Sequence, residues 1–128
     1  MIEGKGRCLC GRVTYKFDPE AVLWQGHCHC ESCRRACSAP MTTFFGVRDS
    51  AWRWSGEPPA VFASSPGVHR FFCDRCGSQM AYRTEQSPGE IHGYSASLDA
   101  PEQAEPANHD HADEQLPWLH LADDLPRA

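Results

Sequence analysis

A chain of 128 residues is the size of one ordinary domain, large enough to bury a core and small enough to profit from a metal staple. Its formal charge is −5, and the basic residues are scattered or in short pairs such as Arg34-Arg35, so a phosphate backbone finds no stripe to follow and no nucleic-acid partner is expected. No apolar run approaches the roughly 20 residues that span a bilayer, and Met1 to Gly6 lacks the charged-then-apolar pattern of a secretion signal. The expectation is a cytoplasmic protein without membrane contact, whose eight cysteines serve metal binding or catalysis rather than a disulfide framework.

From the N-terminus, Cys8-Leu9-Cys10 precedes a segment in which Val13, Tyr15 and Phe17 alternate with Thr14 and Lys16, the period of a half-buried strand. A second strand, Val22–His27, runs into Cys28-His29-Cys30-Glu31-Ser32-Cys33, and Glu31–Ala39 is the one stretch that reads as a helical turn. Further strands are expected at Met41–Val47, Ala51–Trp54, Ala60–Ala63, Val68–Cys73, Gln79–Arg83 and Glu90–Ser97, about eight in all. Between them, Ser55-Gly56-Glu57-Pro58-Pro59, Ser64-Ser65-Pro66-Gly67 and Ser87-Pro88-Gly89 carry the φ preferences of turns. The fold class is therefore all-β, one domain over residues 1–128. Prolines 101, 106, 117 and 126 bar long elements from residues 100–128. Trp118, Leu119, Leu121 and Leu125 nevertheless give that segment something to bury, so an ordered arm docked through Trp118 is expected.

Seven cysteines fall in three clusters, Cys8/Cys10, Cys28/Cys30/Cys33 and Cys73/Cys76, with Cys37 apart. Zinc takes thiolates at about 2.3 Å in tetrahedral geometry, so a ligand pair must put two sulfurs on one side of the backbone. In an extended CxC the side chains at i and i+2 share a face. In CxxC the chain turns tightly, and Gly77 after Cys76 supplies a residue able to take φ > 0. The same alternation turns His27 and His29 away from Cys28 and Cys30. Seven ligands divide into a closed four and an open three. A zinc-ribbon grouping of Cys30/Cys33 with Cys73/Cys76 is the alternative, but keeping Cys28, Cys30 and Cys33 on one metal is simpler and leaves Cys8, Cys10, Cys73 and Cys76 for the other. Cys37, four residues after Cys33, is either a further ligand or a free thiol.

These blocks resemble the glutathione-dependent formaldehyde-activating enzymes, the family that includes the centromere-protein-V domain. The resemblance rests on Cys8-Leu9-Cys10-Gly11-x-Val13, Cys28-His29-Cys30-x-x-Cys33-Arg34, Phe72-Cys73-x-x-Cys76-Gly77-Ser78, Leu98-Asp99-x-Pro101, His109 and Trp118. It implies a tent-like arrangement of sheets similar to a small zinc-binding chaperone of Rab GTPases. It also implies a structural zinc on Cys8, Cys10, Cys73 and Cys76, and a second, reactive zinc on Cys28, Cys30 and Cys33. The implied reaction is that of a carbon-sulfur lyase, joining glutathione to formaldehyde as S-(hydroxymethyl)glutathione.

The chemistry agrees with that expectation. Three thiolates leave bound Zn²⁺ with a net negative charge, a poor activator of water. A soft site with one open position suits a substrate thiol, whose pKa of about 8.5 falls on coordination. Arg34 and Arg35 are candidates for pairing with glutathione's carboxylates, and His109 or His111 for bringing a proton-transfer group from the arm. The competing readings are a non-catalytic zinc-stapled binding module and a thiol-redox or metal-handling protein.

Overall fold

The computed structural model describes residues 2–128. Its strands are β1 (Lys5–Arg7), β2 (Thr14–Phe17), β3 (Val22–Cys28), β4 (Thr42–Arg48), β5 (Trp52–Trp54), β6 (Ala60–Ser65), β7 (Val68–Phe72), β8 (Gln79–Thr84), β9 (Glu90–Tyr94) and β10 (His109–Asp110). One α-helix, α1 (Glu31–Cys37), follows β3. β1, β2 and β5 form a small antiparallel sheet. The other strands form a seven-stranded sheet in the order β10-β3-β4-β9-β8-β7-β6, antiparallel except where β10 runs parallel to β3. The architecture is mostly β, as expected.

Alternation decides what each sheet buries. In β2, Tyr15 and Phe17 point inward while Lys16 is exposed, and Tyr15 stacks on Trp52 of β5 at 4.2 Å between ring centroids. Phe45, Val47, Met80 and Ile91 of the large sheet close the same core from the other side. β9 lies between β4 and β8 and is buried from Ile91 to Tyr94, the behaviour of a strand covered on both faces.

Most boundaries move by one or two residues, and three differences have physical causes. The strand expected over Glu90–Ser97 stops at Tyr94, because Ser95–Ser97 coils into a 3-10 turn in which Ser97 Oγ donates to the Tyr94 carbonyl at 2.8 Å. Lys5-Gly6-Arg7 has no strand-forming composition and is extended through backbone pairing with β2. β10 is likewise made by its partner: Ala107 N–H donates to the Gln25 carbonyl at 2.9 Å, His27 N–H to that of Asn108 at 2.9 Å, and His29 N–H to that of Asp110 at 3.1 Å. The C-terminal segment is therefore sewn to β3 by its backbone. Trp118, expected to be its anchor, is 64% exposed.

No helix among the described residues is long and apolar enough to cross a membrane.

Candidate metal centres

Two turns and a strand end build the four-cysteine cluster. Cys8 follows β1 and Cys10 stands two residues on, before Gly11 turns the chain at φ 82°. Cys73 directly follows β7, and its carbonyl accepts from Gly77 N–H at 2.8 Å, with Gly77 at φ 80° as its place in the knuckle requires. The four sulfurs lie within 4.8 Å of one another, with Cys8–Cys10 and Cys10–Cys73 both at 3.7 Å. In a tetrahedron with metal–sulfur bonds of about 2.3 Å the sulfurs are about 3.8 Å apart, so the donors stand where a zinc ion would need them. Val13 N–H donates to Cys8 Sγ at 3.2 Å, a bond that favours the thiolate, and Cys76 N–H donates to Cys73 Sγ at 3.5 Å. The hydroxyl and backbone N–H of Ser78 together hold the Cys76 thiol down to about 5.

The three-cysteine cluster is made where β3 ends and α1 begins. Cys28 closes the strand, Cys30 caps the helix by accepting Cys33 N–H at 3.4 Å, and Cys33 sits in the first turn. Their sulfurs also lie within 4.8 Å of one another. Contact with Cys28 and Cys33 drives Cys30 far below the ordinary thiol range, and contact with Cys30 and Cys33 drives Cys28 far above it. Arg70 of β7, which no motif in the sequence marks, lies behind them. Both its terminal nitrogens are 3.9 Å from Cys33 Sγ, and it also donates to Tyr94 Oη at 3.2 Å and Ser32 Oγ at 3.1 Å. Its guanidinium lies 4.9 Å from the centre of the Tyr82 ring. Its trace in the sequence is an arginine set between Val68 and Phe71-Phe72 in a mostly apolar strand, which does not say what the guanidinium meets.

The cluster faces a cavity of about 660 Å³. Trp24, Phe44 and Tyr82 form its aromatic wall, and Glu90, His92, Asp110, His111 and Asp113 its polar one. Gly46 opposite Trp24 leaves room for the indole, which donates to Glu90 Oε1 at 2.9 Å. The polar wall is acidic and holds no lysine or arginine.

The other expected residues are placed differently. Cys37 is outside the cluster, and burial raises its thiol. Arg34 Nε donates to the His29 carbonyl at 3.1 Å, Arg35 pairs with Glu31 at 2.7 Å, and both line a separate cavity with Trp118. His111 reaches the wall of the cysteine cavity, whereas His109 is fully buried against His29, whose Nε2 is 2.9 Å from His109 Nδ1. His27 and His29 are not part of the cysteine cluster, as alternation along β3 requires. The groups formed are thus Cys8/Cys10/Cys73/Cys76 and Cys28/Cys30/Cys33, and the zinc-ribbon grouping is not made.

The family model for glutathione-dependent formaldehyde-activating enzymes matches residues 3–114. The chain belongs to this family. An uncharacterized lyase of Schizosaccharomyces pombe is 32% identical over 96 residues, which is 73% of this chain and 69% of the relative. A Rhodobacter sphaeroides protein of known crystal structure shares the fold with a TM-score of 0.65 at 22% identity, covering 80% of this chain and 96% of the other. Membership makes a lyase-type reaction of glutathione and formaldehyde the family-level activity, and the clustered cysteines could hold a metal ion, as suits a zinc-binding family.

Proposed function

We propose that the chain uses two zinc ions, a structural one on Cys8, Cys10, Cys73 and Cys76 and an exchangeable one on Cys28, Cys30 and Cys33, and that it adds the sulfur of glutathione to formaldehyde. The observation that carries this reading is the convergence of three sulfurs on the wall of a cavity, with Cys37 outside their group. Zinc held there would supply positive charge that lowers the pKa of a thiol offered as a fourth ligand.

The chain's own residues support the rest. Trp24, Phe44 and Tyr82 shelter the reacting sulfur from water, and Glu90, Asp110 and Asp113 present carboxylates to the ammonium group of glutathione. Arg70 holds Cys33 and braces the wall through Tyr94 and Tyr82. In the addition, a sulfur lone pair forms the carbon–sulfur bond, the carbonyl π pair moves onto oxygen, and that oxygen takes up the proton the thiol gave up. His92 and His111 are the wall imidazoles able to move this proton. Exchange between glutathione and its hydroxymethyl adduct, followed by NMR line broadening, tests the reading. Wild type should exceed the spontaneous rate and Cys30→Ser should fall to it; a wild type no faster than the protein-free blank would refute catalysis.

A further inference from the structure

Behind Cys28, on the other face of β3, lies a group of side chains that the proposed chemistry leaves unused. Parallel pairing sets His109 of β10 in register with His27 of β3, and the His109 ring centroid lies 4.9 Å from that of His27 and 5.1 Å from that of His29. Asp123 reaches in from the arm, its carboxylate oxygens 3.0 and 3.1 Å from His109 Nε2. Ligand atoms of His27, His109 and Asp123 all lie within 4.8 Å of one another.

We propose that His27, His109 and Asp123 form a third metal site, for a divalent first-row transition ion such as zinc, which clips the C-terminal arm to β3. The donors are of the right kind, since two imidazoles and a carboxylate make a nitrogen- and oxygen-rich set. Their spacing is close to what coordination needs: two such atoms at about 2.0 to 2.1 Å from a tetrahedral ion are about 3.3 Å apart, a few tenths of an ångström beyond the present His109–Asp123 contact.

Each imidazole is also held as ligating histidines are held, by a hydrogen bond on its other nitrogen. His27 Nδ1 is 2.8 Å from Thr43 Oγ1, which leaves Nε2 to the site, and His109 Nδ1 is 2.9 Å from His29 Nε2. Asp123 Oδ1 is oriented by Leu125 N–H at 3.0 Å. Behind them His29 is fully buried and its Nδ1 has no partner. Three packed imidazoles are a poor apolar anchor, and a shared cation accounts for their being gathered here. Entry runs past Asp123, whose side chain is 27% exposed while that of His109 is fully covered.

Metal counting on the intact protein tests this. With both cysteine groups first filled with zinc, cobalt(II) should bind in one further equivalent. Its visible d–d bands should lack the near-ultraviolet thiolate charge-transfer absorption that a cysteine site would give. Asp123→Ala, a substitution at the most accessible ligand, should weaken this equivalent at least tenfold while leaving the circular dichroism and the zinc content of the cysteine groups unchanged. Absence of a further equivalent in wild type, cobalt bands with thiolate charge transfer, or unchanged affinity in Asp123→Ala would each overturn the proposal.

Discussion

Arg70 is the residue that most directly links the large sheet to the three-cysteine cluster. Its charge faces Cys33 from a buried position, where an uncompensated cation would be costly and a thiolate offsets it. Arg70→Gln should therefore weaken metal binding at Cys28, Cys30 and Cys33 by roughly 10- to 100-fold, the usual effect of losing a group that orients a ligand. The four-cysteine cluster should keep its affinity, and chelator competition followed by metal analysis would measure both. The cysteines themselves were legible because CxC and CxxC place their sulfurs by local geometry. Arg70 was not, since it meets Cys33 across 37 positions of sequence through the register of β7 on β8.

His92 carries a second residue-scale expectation. Burial is the larger influence and pushes its pKa below the ordinary 6.5, although Glu90, with Oε1 at 3.0 Å, acts in the opposite direction. As pH falls through the window below about 6.5 the unfolded chain takes up a proton that the folded protein resists, so this contribution to stability is present above that window and lost within it. Melting temperatures from about pH 8 to about pH 5.5 should decline less steeply in His92→Gln than in wild type. Parallel declines would show that His92 is not the group responsible.

Among the elements, the C-terminal arm shows how backbone pairing can replace the side-chain anchor that composition points to. Trp118 and its leucines gave the sequence its apolar signal, yet the attachment runs through β10, where three backbone hydrogen bonds join residues 107–110 to β3. At about 1 kcal/mol each, these bonds make removal of residues 100–128 cost about 3 kcal/mol, before counting the buried Ala100 and Ala104. Trp118→Ala, by contrast, should cost less than about 0.5 kcal/mol, as for other exposed positions. Urea unfolding of the two variants would separate these expectations; equal losses would return the anchor to Trp118. The strands of the central sheet were readable because their own residues alternate or run apolar. β1 and β10 were not, because they are three and two residues long and owe their form to a neighbouring strand.

Across the whole molecule, the two cysteine groups sit in different packing environments. The four-cysteine group ties the N-terminal segment to the knuckle after β7, with Cys8 and Cys73 inside the main core. The three-cysteine group lies on a separate small cluster with Phe44 and Tyr94 and lines the cavity. The grouping itself was visible in the spacing of the CxC, CxCxxC and CxxC blocks. The acidic wall was not visible, because Glu90, Asp110 and Asp113 come from two distant parts of the chain. In the proposed function the three-cysteine centre takes a substrate thiol as its fourth ligand. A free thiol must ionise to do so, and binding should then release a proton near neutral pH. Titration calorimetry of glutathione into the zinc-loaded protein, repeated in buffers of different ionisation enthalpy, measures that release directly. Wild type should bind with release of about one proton and Cys30→Ser should lose both binding and release, whereas equal binding by the two proteins without proton release would rule out thiol coordination at this centre.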